Sequence, residues 1–311
     1  MMQERTSGEF WVQNEWAPLK KVMVGIGVGV EPAPSPEDTY DPKSREHVLA
    51  GTYPTEAAVR AELTGFRELL TRLGVEVLTP PPLGTNQVFT RDIGFVLEDR
   101  FVVTSMVSDR AEEQKALRDI LAGMPEDKII QAPEHVRVEG GDVLPMDGEL
   151  WVGYSEEPDF SNFVTARTNR AGLDWLQATF PNWKVRGFQL TKSDTDPRRN
   201  ALHLDCALGV FGGQHALVHP EGFKVESELA YVLDQFPPNH VLKVSAEEMY
   251  DMNCNLFSIS PNTVISAASF HRINAQLEAW GYTVHKVPFA ETAKMEGLLR
   301  CSTLPLLRGH C

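Results

Sequence analysis

Cysteine is scarce in this chain of 311 residues: Cys206, Cys254, Cys301 and Cys311 are its complement, and no two stand in CxxC spacing. That usage excludes a disulfide scaffold and predicts reduced thiols. Long apolar runs are missing too, so no membrane span is expected. The opening MMQERTSGEFWVQNEW lacks the basic start and apolar stretch of a secretory signal, which makes a cytoplasmic location the expectation. Positive charge is short, with 29 Lys and Arg against 43 Asp and Glu for a net charge of −14. Nucleic acid is a poor partner for such a chain, because phosphate binding needs clustered cations. An acidic surface keeps a protein soluble and also draws in cationic ligands.

What the chain does have is a recurring pattern. Apolar runs open behind chemically capable residues at Asp92 in FTRDIGFVL, Glu139 in VEGGDVLPM, His203 in HLDCALGVF, Asn253 in NCNLFSI and Cys301 in RCSTLPLL. The separations are 47, 64, 50 and 48 residues. Apolar runs of this length bounded by turn signals read as buried strands. Strands arranged alike would point carboxylates, an imidazole, an amide and a thiol toward one place. That is the composition of a thiol-nucleophile enzyme for a cationic substrate.

The runs sit in a repeated unit of strand, hairpin, strand, helix and strand. In the fourth copy NLFSI, the turn SPN, TVISAA, the helical HRINAQLEAWGY and TVHKVPF follow in order. One copy is split between the chain ends, with PLKKVMVGI, EAAVRAELTGFRELLTRLG and VEVLTP at the front and the Cys301 strand at the back. Repetition near 50 residues closed by a strand from the opposite terminus predicts a radial α/β architecture: a five-bladed α/β propeller with pseudo-fivefold symmetry. One domain, 1–311, is expected. Residues 28–54, rich in Pro, Asp and Ser, read as a long loop and a candidate lid, and SEEPDFSNFV reads as a second insertion.

At these residues the chain resembles the pentein superfamily, whose members act on guanidino groups within a fivefold α/β propeller. The resemblance runs from NEWAPLKKVMVG to RCSTLPLL and rests on FTRD, EGGD, HLD and KMEGLLRC in that order. Amidinotransferases resemble it in NEWAPLKKVMVG but carry aspartate where Glu139 stands, so Glu139 favours the hydrolases. Dimethylarginine dimethylaminohydrolases are similar in KMEGLLRC and ARTNRAG; arginine deiminases share the aspartate of HLD.

The resemblance implies a division of labour. Cys301 would be the nucleophile, forming a covalent thiouronium at the guanidinium carbon, and His203 the acid for the leaving amine and then the base for water. Glu139 would orient His203 and contact the guanidinium; Asp92 and Asp205 would grip its nitrogens, with Asp142 of EGGD as a further substrate-binding candidate. Arg167 of ARTNRAG and Arg110 of SDRAEE lie where the hydrolases carry carboxylate-binding arginines. His203 and Asp205, one alternation apart, are expected on one strand face. Cys206 and Cys254 read as buried core residues, and His310 with Cys311 makes too weak a pair for a metal site. No metal or organic cofactor is implied. The partners expected are a small cationic guanidino substrate and, at most, further copies of the chain in a homo-oligomer. The expected reaction is deimination of arginine or an analogue to a citrulline-like ureido product and ammonia; the alternatives are demethylamination, amidino transfer and a non-enzymatic binding module.

Overall fold

A computed structural model describes residues 10–309; His310 and Cys311 lie outside the described residues. The chain forms five three-stranded sheets of one plan. In four of them the strands follow in sequence: β3 Gly94–Leu97, β4 Arg100–Val103 and β5 Ile129–Gln131; β6 Val143–Met146, β7 Glu149–Tyr154 and β8 Lys184–Gln189; β9 Leu208–Phe211, β10 His215–Val218 and β11 Val241–Lys243; β12 Phe257–Ser260, β13 Thr263–Ala267 and β14 Thr283–Val287. Each time the first strand runs antiparallel to the second and the third returns parallel to it.

The remaining sheet joins the two ends of the chain. β1 Leu19–Val24 pairs antiparallel with β15 Thr303–Arg308 and parallel with β2 Glu76–Leu78, as the split copy predicts. Every residue of β3, β9 and β10 is buried, whereas β5 and β11 are partly open. The first two strands of a unit therefore carry continuous apolar runs, and the third is the outer edge.

Local chemistry explains the elements. The β6–β7 turn uses Asp147 and Gly148, both at positive φ, 47° and 98°, the geometry that matches hairpin twist. The helix Glu56–Arg72 starts on the Thr55 hydroxyl, which accepts from the Ala58 amide, and buries Val59, Leu63, Phe66 and Leu70 on one face. Phe66 meets Phe257 and Phe289 edge-on at 6.2 and 5.5 Å. Each fully buried side chain of this kind contributes about 1.5–3 kcal/mol of transfer free energy.

Three expectations need correction. AEEQKALRDILAG is mainly 3-10 helix, Ser108–Leu117, with α-helix only over Arg118–Leu121. Its buried Arg110–Glu113 ion pair is spaced i, i+3, which a three-residue turn brings into register. Residues 28–54 are not bare loop: Asp41 caps and Pro42 opens the helix Pro42–Leu49, a start signal present in DPKS. The insertion SEEPDFSNFV likewise holds a short helix, Glu157–Asn162.

No helix among the described residues is long and apolar enough to cross a membrane. Cys206 and Cys254 are buried free thiols.

Candidate active site

The polar residues that seemed to head strands stand in the turns just before them. Asp92 precedes β3, Glu139 precedes the turn Gly140–Asp142 that leads into β6, His203 precedes the helical turn Leu204–Ala207 that leads into β9, and Cys301 precedes β15. The alternation argument for His203 and Asp205 therefore fails: residues 204–207 are helical. The two side chains are instead sent to different neighbours. His203 faces Glu139 and Asp92, and Asp205 faces Cys301 and Arg300.

Cys301, 2% exposed, has its Sγ 3.7 Å from Asp205 Oδ2, and Asn255 Nδ2 donates to it at 3.1 Å. The Asn255 carbonyl oxygen also accepts from the Cys301 amide at 3.1 Å, so one amide side chain fixes both backbone and thiol. His203 Nε2 lies 2.8 Å from Glu139 Oε2, and its Nδ1 lies 3.8 Å from Asp92 Oδ1. Cys301, His203 and Asp92 line one cavity of about 270 Å³, together with Arg110, Arg167 and much of the segment from Gly29 to Tyr53. Residues 28–54 thus form a wall of the site.

The glycines of EGGD serve close approach rather than positive φ. A Cβ at Gly141 would stand 2.7 Å from the His203 ring and 2.8 Å from Asp92 Oδ1, and one at Gly140 would stand 2.0 Å from the Arg91 carbonyl oxygen. Neither glycine is at positive φ.

Electrostatics set the resting protonation. Burial alone would strip the proton from His203, but the Asp92 charge, the Glu139 hydrogen bond and the Asp142 charge outweigh it and hold the imidazole above its ordinary 6.5. For Glu139, burial is overcome by the His203 hydrogen bond and the charges of Arg167, His203 and Arg110, which bring the carboxyl to about 2. Burial, then Asp205 and Asp92, push the Cys301 thiol well above 9.0. These shifts favour the thiol form of Cys301 and the imidazolium form of His203, and an arriving cation is what would favour the thiolate.

Glu139→Gln should lower the His203 pKa, because it removes a charge-assisted acceptor. The alkaline limb of kcat/KM, set by loss of the imidazolium proton, should then move to lower pH by about one unit or more. A pH–rate profile checks this, and an unmoved limb would assign the titration elsewhere.

The arginines differ in what they have left to offer. Arg110 donates from Nε and Nη2 to Glu113 at 2.9 and 2.8 Å and from Nη1 to Asp92 Oδ2 at 2.9 Å, so its guanidinium is occupied. Arg167, 1% exposed, donates from Nη2 to the Tyr40 carbonyl at 2.7 Å, while its buried Nε and Nη1 have no partner. Asp92 Oδ1 is buried and likewise accepts no hydrogen bond, its one charged neighbour among the described residues being His203 Nδ1 at 3.8 Å. Orphaned buried polar atoms are rare, and these line a cavity.

Asp142 does not line the cavity. Its oxygens accept from the Leu204 amide at 3.0 Å and the Thr168 hydroxyl at 2.6 Å, fastening the EGGD turn to the His203 turn. Burial lifts its carboxyl to about 6. Asp92, Glu139 and His203 place ligand atoms within 4.8 Å of one another and could furnish three donors to a divalent cation. Arg110, 2.9 Å from Asp92 and 3.6 Å from Glu139, already brings positive charge there.

Sequence reading missed Arg300 and Glu15. Arg300, directly before the nucleophile candidate, donates to Asp205 Oδ2 at 2.7 Å and to both Glu15 oxygens at 3.2 and 2.9 Å. Its one signal was a charge at the mouth of an apolar run. Asn255, in NCNLFSI, has no signal in the sequence beyond that of an asparagine at a strand end.

Fold and site together place the chain in the pentein superfamily, enzymes acting on arginine-like guanidino groups. Within it, the chain belongs to the family whose model, described as N,N dimethylarginine dimethylhydrolase, eukaryotic, matches residues 40–308. An arginine deiminase of Rhodococcus erythropolis is 25% identical over 301 residues, covering 86% of this chain and 71% of that protein. The uncharacterized protein YkgA of Bacillus subtilis is 28% identical over 227 residues, 72% of this chain and 71% of its own. Among solved structures, an amidinotransferase of the saxitoxin biosynthetic pathway from Microseira wollei superposes with a TM-score of 0.76 at 21% identity, covering 97% of this chain and 98% of that one.

Proposed function

We propose that this chain hydrolyses a guanidino C–N bond of arginine or a close analogue through a covalent Cys301 intermediate, releasing ammonia and a citrulline-like ureido product. The observation that carries the reading is the Cys301 thiol, 3.7 Å from Asp205, on a cavity that it shares with His203 and with Asp92, whose buried Oδ1 accepts no hydrogen bond. A guanidinium entering there gives Asp92 a donor and supplies the positive charge that the thiolate needs.

As the cation binds, the Cys301 thiol releases its proton to solvent. Thiolate attack then forms the C–S bond, and the His203 imidazolium passes its proton to the departing nitrogen, which leaves as ammonia when the C–N bond breaks. The neutral imidazole takes a proton from water, whose oxygen bonds the thiouronium carbon. Collapse breaks the C–S bond as the hydroxyl proton returns to sulfur, which frees the ureido product and restores the thiol. Glu139 keeps His203 oriented and charged. Asp205, braced by Arg300, holds the face of the guanidinium near sulfur, and Arg167 anchors a substrate carboxylate through its unpartnered nitrogens. Arg110 braces Asp92 instead of binding substrate.

The five like sheets, with β15 returning to β1, support a five-bladed propeller whose pseudo-fivefold axis passes through the site, in a single domain spanning 1–311. A second reading, release of dimethylamine from dimethylarginine, is favoured by the family model that matches residues 40–308.

Incubation with arginine, methylated arginines, agmatine and short guanidino acids, with and without an amine acceptor, separates the outcomes. Ammonia with a ureido product from arginine is expected. Dimethylamine from dimethylarginine alone would favour the second reading, and a new guanidino compound formed only with acceptor would replace hydrolysis by transfer.

A further inference from the structure

Lys192 is a buried cation for which the steps above have no use. It lies just beyond β8, is 9% exposed, and donates from Nζ to the Ala201 carbonyl at 2.8 Å and to the Leu202 carbonyl at 2.7 Å. It does not line the cavity. Lysine is rarely buried, because an ammonium taken out of water must have its donors satisfied, and an apolar side chain would fill the same space at lower cost. Burial accordingly lowers its pKa, while the Asp142 charge opposes loss of the proton.

The two carbonyls that Lys192 holds are those directly before His203. On the other side, Asp142 Oδ1 holds the Leu204 amide at 3.0 Å. The backbone on each flank of His203 is therefore gripped by a buried group of the sign that suits it, a cation on the carbonyls and a carboxylate on the amide. Glu139 holds the ring itself at 2.8 Å.

Closing the loop between Lys192 and Ala201 does not require the ammonium. The Ser193 amide donates to Asn200 Oδ1 at 3.2 Å, the Asp196 amide to the Ser193 hydroxyl at 3.0 Å, and the Ala201 amide to the Thr191 carbonyl at 3.0 Å. Asp194 ties the loop outward, accepting from the Val164 and Thr165 amides at 3.1 Å each. What the Lys192 ammonium adds is its hold on residues 201 and 202.

We propose that Lys192 is a positioning residue for proton transfer: by holding the carbonyls before His203, against the hold of Asp142 on the amide after it, it keeps the imidazolium aimed at the departing nitrogen. This rests on the reading of His203 as the acid of the guanidino reaction. Lys192 itself acts only through the backbone.

A change of leaving group isolates that role. L-Arginine and dimethylarginine lose a nitrogen that must take a proton as the C–N bond breaks. Their S-methylisothiourea counterpart, with a methylthio group on the same carbon, loses methanethiolate, which carries away its own electron pair without a proton. All three leave the same thiouronium on Cys301, so the later attack by water is common to them. First-turnover release in Lys192→Met should fall by about 10- to 100-fold for the amine, the scale of a displaced general acid, and change little for methanethiol. Lys192→Gln, which keeps a neutral donor, should show the same selective loss to a smaller degree, and carries the test if the methionine variant does not fold. Parallel loss of both releases, or loss of neither, in a folded variant would overturn the proposal while leaving the guanidino reading standing. Loss of the melting transition in both variants would assign Lys192 to the fold and overturn it too. A parent protein that releases neither amine nor thiol from these compounds would overturn both readings.

Discussion

Cys301→Ala should abolish turnover of a guanidino substrate, with kcat falling by at least about 10⁴-fold, while the protein stays folded. A guanidinium delocalises its charge over three nitrogens and is a poor electrophile toward water. The remaining groups can still bind it, but without sulfur the sequence of two substitutions collapses to one unassisted attack. The fold should tolerate the change, because the lost atom is small and its one close donor, Asn255 Nδ2, keeps a contact at 3.4 Å to the Asp205 carbonyl oxygen. Asn255 also retains its bond to the residue 301 amide. Product assays paired with thermal melting read both halves. Activity near that of the parent would sink the mechanism, whereas loss of activity with loss of the melting transition would reassign Cys301 to packing.

Arg300→Met should destabilise the protein by about 3–5 kcal/mol, the typical cost of leaving a buried charge without its partner. Arg300 makes contacts that methionine cannot replace: Glu15 on one side, Asp205 on the other, and the Gly141 and Val143 carbonyls at 3.3 and 2.8 Å. The cost should depend on pH. Burial would raise the Glu15 carboxyl, but Arg300 and Arg91 hold it at about 2, against an ordinary 4.5. In the parent, that stabilisation is fully present above 4.5 and lost as pH falls through about 2. In the variant Glu15 is stranded as an anion, with Arg91 3.6 Å away as its remaining partner. Protonation near and below its ordinary range relieves part of the penalty, so the deficit should be largest near neutral pH and shrink toward pH 4. Urea midpoints at the two pH values check this. An unchanged midpoint near neutrality would mean that the pair is a dispensable one.

The spacing of Asp92, Glu139, His203, Asn253 and Cys301 was readable because each precedes an apolar run, and burial of a strand leaves that signature in the residues themselves. The split sheet was readable for the same reason: PLKKVMVGI lacked a partner at the front, and β15 supplies it. The turns were harder. That His203 starts a helical turn instead of a strand depends on Asp142 accepting from the Leu204 amide across 62 positions, which no local pattern encodes. The EGGD glycines looked like a turn requirement and proved to be a spacing requirement, because the obstructing atoms belong to Arg91, Asp92 and His203.

By itself the sequence determined the repeat, the strand pairs within each unit, the reduced thiols and the set of residues capable of guanidinium chemistry, since these follow from apolar periodicity and residue type. Tertiary structure decided the partnerships. Whether an arginine is free or occupied depends on distant carboxylates: Arg110 is taken by Asp92 and Glu113, Arg300 by Glu15 and Asp205, and Arg167 alone of the three keeps unpartnered nitrogens on the cavity. Protonation was decided there too, because the same imidazole or thiol moves in opposite directions according to the charges and the burial that the fold brings to it.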